Sequence, residues 1–260
     1  MKLHPKEHSK CNLEREPGEH SKCNSERESD RIGDFVRDSL PAICLGQSSS
    51  DAGYALPQGS LAVLRECVAR LGVRRVFEFG TGLSTRAFLD AGCEVTAVED
   101  SAEWLAETRR SLEPAALGRV SFFHLSLRIV WHRGAPIRSW RLPPEALAAL
   151  RAAELVLVDS PALPPFREHA LIMAIEHARN ALIVVDDAGI PTVARFCRRL
   201  AERNNAAFFQ TTLDHGLFFM IPAAHAPLDD SRPLLETLKA WRRCFHPRAG
   251  AKGSLGKEGK

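Results

Sequence analysis

The strongest chemical signal in the chain is a short segment in which a strand pattern, an acidic residue and two glycines occur together. Residues 75–79 form a mainly apolar run that carries Glu78, and Gly80-Thr81-Gly82 follows just before a helical pattern. Glycine lets the backbone approach a ligand closely, and the N–H groups at a helix start favour an anion. An acid within an apolar strand is rarely buried without a partner. The segment therefore predicts a binding turn, with an ordinary strand-to-helix turn as the alternative.

A second acid, Glu99, ends the predicted strand 94–99. It lies about twenty residues beyond the glycines, which is the spacing that a βαβ unit imposes. A carboxylate there can accept hydrogen bonds from both hydroxyls of a ribose, and the adjacent Asp100 is a further candidate. The alternative is a solvated acid at a strand end. A nicotinamide dinucleotide fingerprint would have a third glycine where this chain has Thr85. The glycine turn and Glu99 together do not separate an S-adenosylmethionine site from a dinucleotide site.

Acidic residues also end two later apolar strands. Residues 154–159 end at Asp159, and residues 181–186 run into Asp186 and Asp187. Ligands of open α/β sheets bind outside the carboxyl ends of the strands, so we expect these three acids to converge on one edge of a crevice. The alternative is helix N-capping, because aspartate is favoured there and both strands precede helices.

Three side chains near strand 154–159 are candidates for catalysis. Asp159 ends the strand, and Arg167 and His169 lie on the predicted helix 166–178. Such groups can supply the positioning and the base that a reacting hydroxyl needs. For Arg167 and His169 the alternative is a solvated helix face, and His124 is a further histidine on a predicted strand.

A scaffold of alternating strands and helices must position these residues. The predicted strands are residues 75–79, 94–99, 120–125, 154–159, 181–186, 206–212 and 216–221, and the main helices between them are residues 84–90, 101–112, 144–152 and 166–178. Alternation predicts an α/β fold with a Rossmann-like, doubly wound, mostly parallel sheet. The last two strands are too close in sequence for a parallel crossover, so we expect a terminal antiparallel hairpin. Residues 126–143 show no regular pattern, and Leu234, Leu238 and Trp241 suggest a final amphipathic helix.

Taken together, these segments resemble the class I S-adenosylmethionine-dependent methyltransferases over residues 52–222. Phe77-Glu78-Phe79-Gly80-Thr81-Gly82-Leu83-Ser84-Thr85 is similar to the first motif of that family, and Val95 to Glu99 is similar to the second. Leu125-Ser126-Leu127 stands where the family commonly contacts adenine. Leu157-Val158-Asp159-Ser160-Pro161 and Val184-Val185-Asp186-Asp187 are similar to the motifs of the fourth and fifth strands.

The resemblance implies a seven-stranded sheet, S-adenosylmethionine as cofactor and methyl transfer. The positions implied to bind the cofactor are Glu78, Gly80, Thr81, Gly82, Ser84, Thr85, Glu99, Asp100 and Ser126. The acceptor is not named by the resemblance, and we expect a small molecule, with oxygen favoured as the methylated atom. An NAD-dependent oxidoreductase and a non-catalytic interaction protein with the same fold are the alternatives.

Some O-methyltransferases of this class hold a divalent metal with acids at the ends of the fourth and fifth strands. Asp159 and Asp186 match two of those positions, and Asp187 stands where the third ligand is usually Asn. The lysine that those enzymes use as a base is missing, because Ser160-Pro161-Ala162 follows the first acid. We therefore expect no metal ligands and no metal dependence.

Composition limits the remaining possibilities. A formal net charge of +3 without a long basic run does not favour nucleic-acid binding. The sequence lacks an apolar stretch of membrane-spanning length and an apolar secretion signal, so we expect a cytoplasmic protein without a membrane partner. Cys67, Cys93 and Cys197 lie among apolar residues and are expected to be small buried side chains.

Both ends of the chain are compositionally distinct from the predicted domain, residues 31–247. Residues 1–30 contain few large apolar residues and a repeat, EHSKCNLERE followed by EHSKCNSERE. A disordered tail is the expected state, and a zinc site at His8, Cys11, His20 and Cys23 is the alternative. Residues 248–260 are rich in glycine and lysine and are expected to form a flexible tail.

Overall fold

The structure is a computed structural model that describes residues 30–47, 56–132, 134–162, 166–223 and 228–231. The strands are β1 (Arg75–Phe79), β2 (Glu94–Glu99), β3 (Val120–His124), β4 (Arg128–His132), β5 (Ala135–Ser139), β6 (Leu155–Val158), β7 (Leu182–Val185), β8 (Ala207–Gln210) and β9 (Phe218–Ile221). The helices are α1 (Leu40–Leu45), α2 (Gln58–Leu71), α3 (Leu83–Asp90), α4 (Ala102–Ser111), α5 (Pro114–Leu117), α6 (Pro144–Ala152), α7 (Arg167–His177) and α8 (Pro191–Arg203). A π-helical segment, Phe35–Ser39, precedes α1.

Seven strands form one sheet in the order β3-β2-β1-β6-β7-β9-β8. All neighbouring pairs are parallel except those that involve β9, which runs antiparallel to both β7 and β8. The sheet therefore ends in an antiparallel hairpin, as the short connection between the last two strands predicts. This order and the reversed strand are those that the resemblance to class I methyltransferases implies.

Two apolar layers cover the two faces of the sheet. Side chains alternate along a strand, so Val76 of β1 packs in one layer while Phe77 and Phe79 pack in the other. The first layer includes the buried faces of α1, α2 and α3, and the second includes those of α6, α7 and α8. The central strands β6 and β7 are buried at every residue, which explains their continuous apolar sequences.

The pattern of the sequence predicts most of these elements within one or two residues of their observed ends. The difference lies in residues 126–143, where the structure contains an antiparallel hairpin of β4 and β5 that forms a separate two-stranded sheet. Cys67, Cys93 and Cys197 are buried, as expected. The predicted C-terminal helix and the His/Cys repeat lie outside the described residues. Within the described ranges, no helix has the length and apolarity needed to cross a membrane.

Candidate functional site

The carboxyl ends of β1, β2, β6 and β7 meet at one edge of the sheet, and a cavity of about 820 Å³ opens there. Small-molecule sites usually measure about 300–1,000 Å³. Parallel strands bring the loops that follow them to the same edge, so residues far apart in sequence share this cavity. The residues that line the cavity include Gly80, Thr81, Gly82, Ser84, Glu99, Asp100, Trp104, Asp159, Arg167, Asp186, Asp187, Asp214 and His215.

Gly80 and Gly82 hold the turn after β1 in a backbone conformation that other residues rarely adopt. The φ angle is 113° at Gly80 and 153° at Gly82. A Cβ atom at Gly80 would lie 3.1 Å from Cβ of Ser160, and one at Gly82 would lie 3.5 Å from Nε1 of Trp104. Both residues line the cavity. The two glycines therefore keep the backbone of the turn accessible to a ligand.

Glu99 is fixed at the end of β2 by four hydrogen bonds. Its Oε2 accepts from the backbone N–H and the hydroxyl of Thr81, at 3.1 and 3.2 Å. Its Oε1 accepts from the backbone N–H groups of Asp100 and Ser101, both at 2.9 Å. Burial raises the pKa of Glu99, and the N–H groups of Ser101 and Thr81 act in the opposite direction. A ligand hydroxyl that binds this carboxylate must therefore share or replace an existing contact, and the Thr81 hydroxyl is the group best able to move.

Glu78 is buried next to the glycine turn and does not line the cavity wall. Both of its carboxylate oxygens lack a hydrogen-bond partner among the described residues. Burial raises the pKa of Glu78 to about 7; the side chains of Ser84 and Thr85 lower it without forming hydrogen bonds of regular geometry. A buried carboxylate without partners is unfavourable unless a proton or a cationic group compensates its charge. The carboxylate of Glu78 is therefore suited to interact with a cationic group.

Asp159, Asp186 and Asp187 come together at the ends of β6 and β7, with one oxygen from each within 4.8 Å of the others. Arg167, the first residue of α7, enters this cluster from the side. Its Nη2 lies 3.3 Å from Oδ1 of Asp159, and its Nη1 lies 2.8 Å from Oδ2 of Asp187. The convergence of the three acids, which the sequence predicts, is therefore present in the structure and includes a buried cation.

The charged groups in this cluster shift one another's pKa values. Burial and the neighbouring Asp186 raise the pKa of Asp159 well above its ordinary value, against the opposing effect of Arg167. Burial and Asp187 raise the pKa of Asp186 to about 6. The carboxyl groups of Asp159 and Asp186 lie close enough to share a hydrogen bond. Burial and the mutual repulsion of the carboxylates thus favour the protonated forms of Asp159 and Asp186, and Arg167 opposes this effect at both groups.

Trp104, Asp214 and His215 line the cavity and were not singled out from the sequence. Nε1 of Trp104 donates a hydrogen bond to the carbonyl of Thr81 at 2.5 Å, so the indole braces the glycine turn. Oδ2 of Asp214 accepts from the N–H and the hydroxyl of Ser60, at 2.8 and 2.9 Å, which ties the β8–β9 turn to the first turn of α2. Nδ1 of His215 lies 3.7 Å from Oδ1 of Asp187. The hairpin turn thus contributes a wall and an imidazole to the cavity.

Other predicted site residues lie off the cavity wall. Thr85 is fully buried, and its hydroxyl accepts from the N–H of Gly82 at 3.1 Å, which closes the first turn of α3. Ser126 is exposed, because the chain leaves β3 after residue 124 and turns towards β4. Nδ1 of His169 lies 2.5 Å from Oγ of Ser139, on the β4–β5 sheet. His169 therefore contacts the hairpin and not the cavity.

Comparison with known proteins gives similarities at the level of structure. No family model matches the chain, and no curated protein matches its sequence. The chain is similar to an S-adenosylhomocysteine (SAH)-bound methyltransferase of Podospora anserina, PaMTH1, at 13% identity over 83% of this chain and 99% of that one, with a TM-score of 0.49.

Two bacterial structures are similar to the chain at comparable sequence identity. A methyltransferase from Geobacter sulfurreducens is 13% identical over 74% of this chain and 96% of its own, with a TM-score of 0.48. A precorrin-6Y C5,15-methyltransferase from Geobacter metallireducens is 14% identical over 66% of this chain and 91% of its own, with a TM-score of 0.41.

Proposed function

We propose that this chain is an S-adenosylmethionine-dependent methyltransferase that acts on a small molecule, with oxygen favoured as the acceptor atom. The observation that carries the proposal is a single cavity with two chemically different ends. One end has the glycine turn and Glu99, which suit a nucleoside with a zwitterionic amino-acid group. The other end has Asp159 and Arg167, which suit a polar acceptor. A cavity that holds both ligands together can act by positioning them, because a methyl transfer needs an in-line approach.

The residues at the first end fit the proposed cofactor. S-adenosylmethionine, when bound, supplies a methyl group on a positively charged sulfur atom, which is also the leaving group. Glu78, buried next to the glycine turn and off the cavity wall, has no hydrogen-bond partner among the described residues, and its carboxylate would compensate the charge of an ammonium group bound at that turn. The open turn of Gly80 and Gly82 suits a carboxylate. Glu99 would take the ribose hydroxyls. The remaining positions proposed for cofactor binding are Thr81, Ser84, Thr85, Asp100 and Ser126, of which Thr85 would act by holding the turn.

At the second end, Asp159 is the proposed proton acceptor. To act as the base, Asp159 must be in its ionised form, which Arg167 favours against the opposing effects of burial and the neighbouring Asp186. Arg167 fixes Asp159 and is proposed to orient it. His169 is proposed as a positioning residue, since it ties α7 to the β4–β5 sheet two residues beyond Arg167. His215, beside Asp187, is a second group that could take the proton.

The dinucleotide alternative is disfavoured by packing at Thr85. A dinucleotide turn uses a third glycine so that the helix can pack tightly against the strand. Here Thr85 is fully buried at that position and accepts the N–H of Gly82. The turn is therefore stabilised by the hydroxyl of Thr85, at a position where the dinucleotide fingerprint requires a glycine.

Two measurements test the proposed function. Calorimetry with S-adenosylmethionine, S-adenosylhomocysteine and NAD is expected to give binding of the first two and none of the third. Incubation with S-adenosylmethionine and a panel of hydroxyl, amine and thiol acceptors is expected to release S-adenosylhomocysteine, fastest with a hydroxyl compound. Binding of NAD alone would contradict the proposal. Cofactor binding without turnover on any acceptor would support the non-catalytic alternative.

A further inference from the structure

Arg167 is a charged side chain of the site that is held by four polar contacts. It is 4% exposed. Its Nε donates to the carbonyl of Pro161 and its Nη1 to the backbone carbonyl of Asp186, both at 3.2 Å. The same guanidinium contacts Asp159 and Asp187 at 3.3 and 2.8 Å. Two backbone carbonyls and two carboxylates therefore fix this cation in one position.

The three aspartates around it form a ligand set that would also attract a metal. Oxygen atoms of carboxylates are the ligands that Mg²⁺ and Mn²⁺ prefer, and the three oxygens here lie within 4.8 Å of one another. Oδ1 of Asp186, which is 5% exposed, has no hydrogen-bond partner among the described residues. Asp186 is buried, and Asp159 and Asp187 are partly exposed. Three carboxylates this close together need a compensating positive charge, and either a divalent ion or a guanidinium can supply it.

A divalent ion in this cluster would compete with Arg167 for Asp159 and Asp187, which the guanidinium already contacts through one oxygen each. It would also stand beside the positive charge of Arg167, and two like charges at such short range repel each other. The residues present therefore do not fit a metal while Arg167 keeps this position.

We propose that the guanidinium of Arg167 is the resident cation of the Asp159–Asp186–Asp187 cluster and takes the place that a divalent metal would otherwise fill. Arg167 thus supplies a positive charge to the cluster without any ion from solution. The inference concerns cation binding and does not depend on the proposed methyl transfer.

The proposal predicts a gain of function when the arginine is removed. Arg167→Met and Arg167→Gln leave the three carboxylates without their cation and are expected to bind Mn²⁺. The wild-type chain and Arg167→Lys, which keeps a positive charge, are expected not to bind it. Mn²⁺ binding can be followed by the loss of the electron paramagnetic resonance signal of the free ion, with neither cofactor nor acceptor present.

The expected gain is at least about tenfold in Mn²⁺ affinity, the scale seen for changes beside metal ligands. Adding Asp187→Ala, which removes the ligand oxygen, to either uncharged variant should abolish the gain. Arg199→Met is the matched control, because Arg199 pairs with Glu168 on the neighbouring helix and lies outside the cluster. Circular dichroism on each variant establishes that it is folded.

Two results would overturn the proposal. The first is wild-type binding of Mn²⁺ with the affinity of the uncharged variants and its loss in Asp187→Ala, which would show that metal and arginine coexist. The second is a folded Arg167→Met or Arg167→Gln that gains no affinity. If both uncharged variants fail to fold, binding of Mn²⁺ by the wild-type chain that is lost in Asp187→Ala would by itself overturn the proposal.

Discussion

The carboxylate of Glu99 accepts two hydrogen bonds from Thr81, eighteen residues earlier in the chain, and so joins the end of β2 to the glycine turn after β1. The two oxygens of Glu99 also accept the N–H groups that open the next loop. One side chain therefore organises both loops of the proposed cofactor site. A change at Glu99 should affect binding through the lost contact with the ribose and through the loosened turn.

We predict that Glu99→Ala weakens binding of S-adenosylmethionine by roughly 1–3 kcal/mol, the scale of hydrogen bonds to a charged group. Calorimetry at a temperature where the variant is folded measures this directly. Glu94→Ala, at the opposite and exposed end of β2, is the control and should leave the affinity unchanged. An unchanged affinity in a folded Glu99→Ala would remove the ribose role and leave Glu99 as a structural acid.

A variant of Thr81 can separate the direct contact of Glu99 with the ribose from its ordering of the glycine turn. Thr81→Val removes the hydroxyl that contacts Glu99 but keeps the backbone N–H and the shape of the side chain. If Glu99 acts on the ribose directly, Thr81→Val should weaken binding much less than Glu99→Ala. Equal losses in the two variants would indicate that Glu99 acts only by ordering the turn.

A second prediction concerns pH and Glu78. Burial raises the pKa of this carboxyl from 4.5 to about 7. Between these two pH values the folded chain therefore keeps a proton that the unfolded chain has lost. The free energy of unfolding should therefore decrease as pH rises, by up to about 1.4 kcal/mol per pH unit from this group. Glu78→Gln should flatten the decrease, measured by urea unfolding at several pH values. Glu94→Gln, on the neighbouring strand, should not.

The same group gives an opposite pH dependence for the cofactor. An ammonium group beside Glu78 favours the charged carboxylate, so binding should release a proton and tighten as pH rises from about 6 to about 8. The Glu78→Gln variant should bind more weakly and lose this dependence. A wild-type affinity that is independent of pH in this range would argue against contact between Glu78 and the ammonium group.

The fold follows from the sequence more completely than the site does. Strands β6 and β7 are continuous apolar runs because both faces are buried, and α8 shows its buried face at Val193, Phe196, Cys197 and Leu200. The sequences of β4 and β5 show no comparable pattern of apolar residues. Most of β4 is exposed or half-exposed, and Pro136 interrupts the strand pattern of β5, so neither strand has a clean alternation.

The site residues that the sequence missed depend on long-range geometry. Because β9 is antiparallel to its neighbours, the turn between β8 and β9 lies at the same sheet edge as the glycine turn, and this brings His215 to Asp187. The predicted hairpin could have indicated this position. The pairing of Arg167 with Asp159 and Asp187 depends on the loop before α7 and on side-chain rotamers, which no periodicity encodes.

A third prediction concerns the N-terminal segment. The sequence of residues 1–29 has too few large apolar side chains to form a core of its own. A chain that starts at Asp30 should therefore have the thermal stability and the cofactor affinity of the full chain. Differential scanning calorimetry and isothermal titration test the two properties separately. A lower melting temperature or a weaker affinity in the shortened chain would show that this segment packs against the domain.

The last prediction concerns Asp159, which directly follows β6 and lines the cavity at the proposed acceptor end. Asp159→Asn keeps the size of the side chain and its capacity to cap a helix but removes its negative charge. If Asp159 takes the proton of the acceptor, the rate should decrease roughly a hundredfold or more, in the range of general acid–base catalysis, with cofactor affinity nearly unchanged. Asp90→Asn, an exposed aspartate at the end of α3, is the control.

Two further comparisons identify the role of Asp159. A chelator should not change the wild-type rate, because Arg167 already supplies the cation of the cluster. His215→Asn should decrease the rate less than Asp159→Asn if the aspartate is the base; the reverse order would assign the proton to His215, with Asp187 orienting the imidazole. Full activity in a folded Asp159→Asn would exclude a catalytic role, and Asp159 would then serve only to fix Arg167 at the end of the strand.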